Sequence, residues 1–322
     1  MGFINSGNFG ADSHCPFCQH EQPDVKFTAS GFTFYKCKKC RSLFRWDCNI
    51  IKEYNYEKSY YGDSKSEKFW FKPVVWFLNI ERSRRAAYIA KNISKESSVL
   101  DIGCGNGALV HKVYKISGAK VSGVEMDNVA ANRAKQYGHI TVFSNSFEKA
   151  LLIDNSFDTI SMIHSFEHIP FPLNTLSKVN SLLKQKGFFY LAIPNINSIQ
   201  YKIFGRYWLH LDPEFHLHFV DKLQLMTLMA NHKFRHVKTV YFNPIQNISG
   251  FILSTLNLIT GKRDVLFNML KSKRKLRNPL NILLFLFLML LSVILLPIGI
   301  IEECISAMLK RSATVDYVFI KE

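Results

Sequence analysis

The sequence predicts an α/β fold with a small metal-bound module before it and an apolar, membrane-associated helical insertion ahead of its last strand. Three observations carry that expectation: two CxxC pairs near the start, an apolar strand running into a glycine-rich turn near residue 100, and a charge-free run at 280–301. The chain has 322 residues, 48% of them hydrophobic and 20% charged, with a mean hydropathy of -0.00. That apolar material suffices for a core and excludes a disordered tail protein. Seven cysteines are too sparse, and odd in number, for a disulfide scaffold. The net charge of +16 suggests an anionic partner. Its distribution is local: residues 26–45 carry six basic and no acidic side chains, residues 262–277 seven and one, together +12 of the +16.

Met1 to Ser6 lack the basic and apolar regions of an export signal and fit only the loose Met-Gly-x-x-x-Ser acylation pattern. A cytosolic start with reduced thiols is the expectation. Cys15 and Cys18, then Cys37 and Cys40, form two CxxC pairs, each suited to a tight turn that aims both sulfurs at one point. A hairpin that joins the turns gives a four-sulfur tetrahedron for Zn²⁺, and Phe32 to Lys36 read as the strand leading into the second pair. With all ligands from protein, this zinc is structural. Unrelated thiols or two disulfides are the alternative. Cys48, Cys104 and Cys304 are left over as incidental or buried thiols. The lysines beside the second pair suit either nucleic acid or a solvated face that offsets the anionic zinc centre.

A helix is expected at about 72–91. The strand and turn VLDIGCGNG at 99–107 follow, then a helical pattern from Ala108. Glycines at Gly103, Gly105 and Gly107 let backbone approach a ligand where a Cβ would clash. The GxGxG spacing, with Asp101 before it, suits a ligand with an amino-acid moiety better than a pyrophosphate. A second strand at 120–125 ends in Glu125, placed to accept hydrogen bonds from both ribose hydroxyls, with Met126 beside it to pack on adenine.

VLDIGCGNG followed by VSGVEMD at 121–127 resembles motifs I and II of the class I S-adenosylmethionine (SAM) methyltransferases. The resemblance continues through FDTISMIHSFEHI at 157–169 and LLKQKGFFYLAIPN at 182–195, similar to the fourth and fifth strands of the ubiquinone-type branch. Gln185 and Lys186 replace the usual residues before the single Gly187, which alters a turn. The resemblance covers about 93–245. It implies a Rossmann-like open mixed sheet with SAM across the carboxyl ends of its strands. It also implies that Asp101, Gly103, Gly105 and Gly107 hold the SAM amino-acid part, and that Glu125 and Met126 serve the ribose and adenine. Asn145, Ser146 and Phe147 border adenine, although an Asp is usual there, and His164 ends the fourth strand beside the sulfonium. The competing structural roles are a turn cap for Asp101 and a buried orienting pair for Glu167 and His168.

Methyl transfer is an in-line displacement that depends on alignment. A hydroxyl acceptor must also lose a proton, and histidine is the natural base near neutral pH. The catalytic candidates are His164, His168, His216 and His218, the last two within YWLHLDPEFHLHF at 207–219. This segment follows the fifth strand, where such enzymes bind acceptors, and its rings suit an aromatic or saccharide substrate. A packed lid is the alternative.

The run 280–301 is long enough at about 1.5 Å per residue to span a hydrocarbon core of about 30 Å. Basic residues flank it on both sides, KSKRKLR at 271–277 and Lys310 with Arg311, which favours both flanks remaining cytoplasmic. Residues 315–320 read as a strand that inserts antiparallel beside the one at 236–241, and a strand beyond a bilayer could not join that sheet. A re-entrant or monotopic insertion is therefore expected, with Pro297 and Gly299 breaking the helix and turning the chain back. Ile301, Cys304, Ile305, Met308 and Leu309 then form an interfacial helix, and Ile248, Phe251, Ile252, Leu256 and Ile259 a similar stripe. The basic run suits an anionic cytoplasmic leaflet.

The expected organisation is a zinc ribbon at 1–60, a helical linker at 61–92, a methyltransferase core at 93–245, a basic and apolar insertion at 246–311, and a terminal strand at 312–322. The leading reading is a membrane-bound SAM methyltransferase acting on a lipid-linked saccharide or other lipid-borne hydroxyl. Chains that join a zinc ribbon to a methyltransferase core resemble enzymes of bacterial polysaccharide and sugar biosynthesis. An RNA methyltransferase explains the basic ribbon but not the apolar run, and residues 93–245 carry only +5. A non-catalytic SAM-binding scaffold on the membrane is the third reading.

Overall fold

The computed structural model describes residues 14–21, 23–45, 72–271 and 278–322; Cys48, the first residues and most of the 271–277 basic run lie outside them. In chain order the elements begin with β1 (Asp24–Ala29), β2 (Phe32–Lys36), β3 (Leu43–Arg45) and α1 (Lys72–Lys91). There follow β4 (Ser98–Ile102), α2 (Ala108–Ser117), β5 (Lys120–Glu125), α3 (Val129–Lys135), β6 (Ile140–Ser144) and β7 (Phe157–Ile163). Next come α4 (Pro172–Leu182), β8 (Leu183–Pro194), α5 (Ile199–Phe204), β9 (His218–Phe219), α6 (Lys222–Asn231) and β10 (Phe234–Val240). The chain closes with α7 (Pro244–Thr260), α8 (Val265–Lys271), α9 (Pro279–Met308) and β11 (Thr314–Lys321).

The main sheet has seven strands in the order β10-β11-β8-β7-β4-β5-β6. β4 is parallel to β5 and β7, β6 to β5 and β8 to β7, while β11 runs antiparallel between β8 and β10. The terminal strand thus inserts as expected. Alternating side chains send Leu100, Val124 and Phe319 into one apolar layer with α4 and α6, and Val99, Val121 and Val318 into another with α1 and α2. A strand buried on both faces needs such continuous apolar runs. The reversal at β4, where neighbouring crossovers diverge, opens a crevice at the carboxyl ends of the strands.

The cysteine-bearing module is a smaller sheet, β1-β2-β3-β9, whose last strand belongs to the 207–219 segment. Leu43 pairs with Phe219 and Phe44 with His218. Buried Arg45 donates to the carbonyls of Pro213 and Glu214, and the Asp221 amide donates to Ser42 Oγ. The ribbon is therefore stitched directly to the 207–219 segment.

One expectation fails. α9 does not break at Pro297 or turn back at Gly299; it is a continuous helix through Met308. Proline inside a helix costs about 3 kcal/mol in isolation, but packing overrides that preference here. Leu288 and Leu295 are buried with Leu256, Leu266 and Leu270. Gly299 faces α7 so closely that a Cβ would stand 3.3 Å from Ile248 Cγ2, so this glycine serves helix contact and no turn. The chain leaves the core along α7 and returns along α9, and the hairpin is made by two helices rather than by a kink.

Buried polar groups fasten this hairpin to the sheet. Asp316 of β11 is fully buried and accepts from Arg85 Nη2 at 2.9 Å, Arg85 Nε at 3.1 Å and Tyr190 Oη at 2.6 Å. Glu303 of α9, also fully buried, accepts from the Asn243 amide at 2.8 Å and Asn247 Nδ2 at 3.1 Å. Asn247 Oδ1 in turn accepts from the Thr314 amide at 2.9 Å. Burial opposes ionisation of Asp316, but Arg85, Tyr190 and Arg84 outweigh it and hold its carboxyl below the usual value.

Replacing Asp316 by Asn leaves buried Arg85 with only Glu81, at 3.7 Å, as counter-charge and should cost up to about 3–5 kcal/mol in denaturant unfolding. The deficit should be full above the unfolded carboxylate value of about 3.9 and fade as pH falls through the lower folded value. A variant as stable as the wild type at neutral pH would remove Asp316 from this role.

Candidate active site and metal centre

The four predicted cysteine ligands converge. Cys15 Sγ lies 3.5 Å from Cys40 Sγ, Cys18 Sγ 3.5 Å from Cys37 Sγ, and all four sulfurs lie within 4.8 Å of one another. A Zn²⁺ tetrahedron with bonds of about 2.3 Å separates its sulfurs by about 3.8 Å, so the donor set fits. The Cys40 amide donates to Cys37 Sγ at 3.4 Å, which stabilises thiolate charge. Cys104 is buried beside Gly123, where a Cβ would come within 2.4 Å of its sulfur, and Cys304 is exposed; neither joins the cluster.

The glycine turn after β4 forms a cradle that only glycine can make. Gly103, Gly105 and Gly107 take φ of +74°, +54° and +73°, a region that L side chains rarely occupy. A Cβ on Gly103 would stand 2.5 Å from Ser165 Cβ, and one on Gly107 2.9 Å from Ile140 Cδ1. Asp101, buried on β4, accepts a 2.6 Å hydrogen bond from Ser161 Oγ on β7. Burial pushes its carboxyl up to about 7, with the Glu125 charge adding to the rise and Ser161 opposing it.

Glu125 ends β5 at the lip of this cradle. Its Oε2 accepts from the Gly105 amide at 2.8 Å, and its Oε1 from the Met126 amide at 3.0 Å and Asn128 Nδ2 at 3.3 Å. The carboxylate is thereby fixed in direction with capacity for further donors such as a ribose diol. Met126 is 49% exposed beside it, leaving a thioether for a planar ring. Past β6, Asn145 is exposed, Ser146 half-buried and Phe147 buried. Asp101, the three glycines, Glu125 and Met126 thus cluster around one crevice, with Asn145 and Ser146 on the loop after the next strand.

The histidines separate into three positions. His164 follows β7 in the left-handed region with φ +52°, and its Nε2–H donates to Gln246 Oε1 of α7 at 3.0 Å. Its Nδ1 lies 3.4 Å from Glu167 Oε1. Behind it, the His168 and His216 rings meet edge-on at 4.7 Å, each with Nδ1 bonded to a backbone carbonyl, Phe215 O at 3.0 Å and His210 O at 2.9 Å. His218 stands apart. Its Nε2 bonds Ile169 O at 2.8 Å, and its ring is wedged between Phe17 and Phe166, so it serves the joint between ribbon and core.

Burial drives His168 and His216 below the ordinary imidazole value, and takes His218 down to about 4 and His210 to about 3. Glu167 behaves oppositely: burial resists its ionisation, yet His164, His216 and His168 hold its carboxyl at about 2. Sequence reading missed Gln246 and Ser161, whose roles depend on contacts 82 and 60 residues away along the chain. A cavity of about 620 Å³ opens elsewhere, between α1 and β10 around Tyr88, Lys91 and Lys238, and no glycine-turn or histidine residue lines it.

Residues 79–239, half of the chain, match the family described as methyltransferase domain. A ubiquinone biosynthesis O-methyltransferase of Histophilus somni is 32% identical over 145 residues, covering 41% of this chain and 60% of that protein. A sterol 24-C-methyltransferase of Gibberella zeae is 29% identical over 147 residues, covering 42% of this chain and 39% of that protein. The chain therefore spans less than two thirds of either relative. The crystal structure of a protein assigned as a sarcosine dimethylglycine methyltransferase from Galdieria sulphuraria shares the fold. It superposes with a TM-score of 0.50 at 15% identity, covering 78% of this chain and 86% of that one.

Because Asp101 is protonated below about 7, its affinity for a cationic ammonium should grow as it ionises. Calorimetry should show S-adenosylhomocysteine binding strengthening several-fold between about pH 6 and about pH 8. Asp101→Asn should bind weakly and without that slope. Equal pH dependence in both proteins would exclude the carboxylate from ligand binding.

Proposed function

This chain belongs to the SAM-dependent methyltransferase family, and from that premise we propose that it methylates a hydroxyl of a lipid-borne acceptor at a membrane surface. A lipid-linked saccharide is the first choice of acceptor. The observation that carries this reading is the contact between His164 and Gln246. It makes the outgoing helix of the apolar hairpin a wall of the methyl-transfer site, so an acceptor anchored in lipid needs only a short reach.

α9 suits a position in the membrane interface. Leu280, Leu283, Phe287, Leu290, Ile294, Ile298, Ile301, Ile305 and Met308 are all 47% or more exposed and recur every three or four residues, and Ile282, Leu286, Val293, Leu296 and Ile300 extend that exposed apolar surface onto the adjoining side. Leu288, Leu295, Gly299, Glu303 and Ser306 face the protein instead. An apolar stripe of this length on a protein-anchored helix fits monotopic burial in the headgroup and acyl boundary. The C-terminal end is tied to the sheet while the 271–277 basic run precedes the N-terminal end. A crossing helix would place those cations on the far side from the core, against the usual charge bias. Lying flat keeps both at an anionic cytoplasmic face.

SAM, when bound, supplies an electrophilic methyl group. The glycine cradle and Asp101 hold its amino-acid part, Glu125 orients the ribose, and Met126, Asn145 and Ser146 border the adenine. As it stands His164 Nε2–H donates to Gln246 Oε1; once the ring is released and its proton sits on Nδ1 facing Glu167, the freed Nε2 lone pair takes the acceptor's hydroxyl proton and Glu167 stabilises the imidazolium. His216 and His218 are buried, and His168 is half-buried behind His164; they support that arrangement. Zn²⁺ on Cys15, Cys18, Cys37 and Cys40 is structural and holds the ribbon against the 207–219 segment.

The names of the two relatives, a ubiquinone-pathway and a sterol enzyme, favour a lipid-class acceptor. RNA is less favoured, because much of the ribbon's basic charge is already engaged. Arg45 is buried on backbone carbonyls, Lys38 pairs with Asp24 at 3.1 Å and Arg41 lies 3.8 Å from Asp221. The scaffold reading leaves the proton-accepting arrangement around His164 without a purpose.

Membranes that contain the protein, incubated with methyl-labelled SAM, should transfer label to the organic-extractable fraction. Double substitution of Leu283 and Leu290 by Glu should release the protein from vesicles and reduce that transfer at least about tenfold. Label in RNA, or transfer unaffected by loss of membrane binding, would overturn the reading.

A further inference from the structure

We propose that Glu167, His168 and His216 form a second metal centre, a three-ligand site for a divalent cation of the Zn²⁺ type. One donor atom from each residue lies within 4.8 Å of the others, and His216 Nε2 stands 3.9 Å from Glu167 Oε1. Closing these distances to the roughly 3.3 Å between ligands of a tetrahedral ion needs only small side-chain shifts.

Two independent features distinguish this cluster from an ordinary buried histidine pair. The first is Glu167: it is 1% exposed, and neither of its carboxylate oxygens accepts a hydrogen bond. Buried charge without such bonds requires a counter-charge. The nearest imidazole nitrogens stand at 3.4 Å and 3.9 Å, beyond good hydrogen-bond reach. The second is the outer contact of each histidine. Nδ1 of His168 donates to Phe215 O and Nδ1 of His216 to His210 O, which fixes both tautomers with the lone pair on Nε2. Metal-binding histidines are oriented in this way.

A donor set of two imidazoles and one carboxylate selects a borderline first-row cation over Ca²⁺ or Mg²⁺. Three protein ligands leave one coordination position open, unlike the closed four-sulfur site. The ion would sit one side chain behind His164, so that Glu167 binds it while facing the His164 ring. The cluster also lies where the 207–219 segment meets the short 3-10 turn Phe166–His168, so metal binding would fix the segment that the ribbon holds from its other side.

The test is metal binding by full-length, tag-free protein in detergent, stripped by chelator and titrated with Co²⁺. One equivalent should occupy the cysteines and give thiolate charge-transfer absorption. A second should add only the weak visible bands of nitrogen and oxygen ligation. Glu167→Gln and His216→Gln should each keep the thiolate absorption and lose the second equivalent. A single equivalent in the wild type, or a second that persists in both variants, would overturn the proposal. If a variant also loses thiolate absorption through misfolding, the wild-type stoichiometry decides. None of these readouts involves methyl transfer, so a negative result would leave the methyltransferase reading intact.

Discussion

The pairing of buried Asp316 with Arg85 and Tyr190 is the constraint on which the remaining architecture depends. It sits on the last strand, the point where the chain re-enters the sheet after its apolar excursion. A buried carboxylate must be paired, and a buried guanidinium must be matched in the same way. The observed arrangement of α1, β8 and β11 satisfies both. Asn243 extends the node to the start of α7, and Glu303 extends it to α9 through Asn243 and Asn247. The apolar hairpin is consequently a rigid outgrowth of the catalytic sheet and no tethered appendage.

That rigidity gives the hairpin access to chemistry. Gln246 lies on the same helix as Asn243 and Asn247 and reaches both His164 and Arg85. One turn of α7 therefore joins the polar node, the apolar helices and the end of β7. From the opposite direction the ribbon grips the 207–219 segment through Arg45, Ser42 and the β3–β9 pairing. The histidines lie between these two attachments. The ribbon and the hairpin thus each hold one side of the histidine cluster.

The local features of this protein were legible in the sequence because they depend on local chemistry. The GxGxG turn declares itself through positive φ, the acid at the end of β5 through strand length, and the cysteine pairs through turn geometry. The antiparallel last strand was readable from its apolar alternation. Pro297 was misread because helix-breaking is a local tendency that buried packing along Leu288, Leu295 and Gly299 outweighs. The junctions were invisible for a related reason. Gln246, Arg45 and Asp316 look like ordinary polar surface residues until partners 82, 169 and 231 positions away are brought beside them. Likewise, nothing in the pattern of His216 and His218 tells a residue facing Glu167 from one wedged between phenylalanines.

The central claim is that the hairpin lies in the membrane interface with its apolar stripe down, so that the histidine site opens at the surface from which the acceptor is drawn. Spin labels placed singly at 283, 290, 294, 301 and 305, in protein bound to anionic vesicles, measure this through relative accessibility to oxygen and to a water-soluble nickel chelate. The account predicts one shallow depth shared by all five positions. A steady progression through the bilayer centre from 283 to 305 would mean a crossing helix and would contradict it.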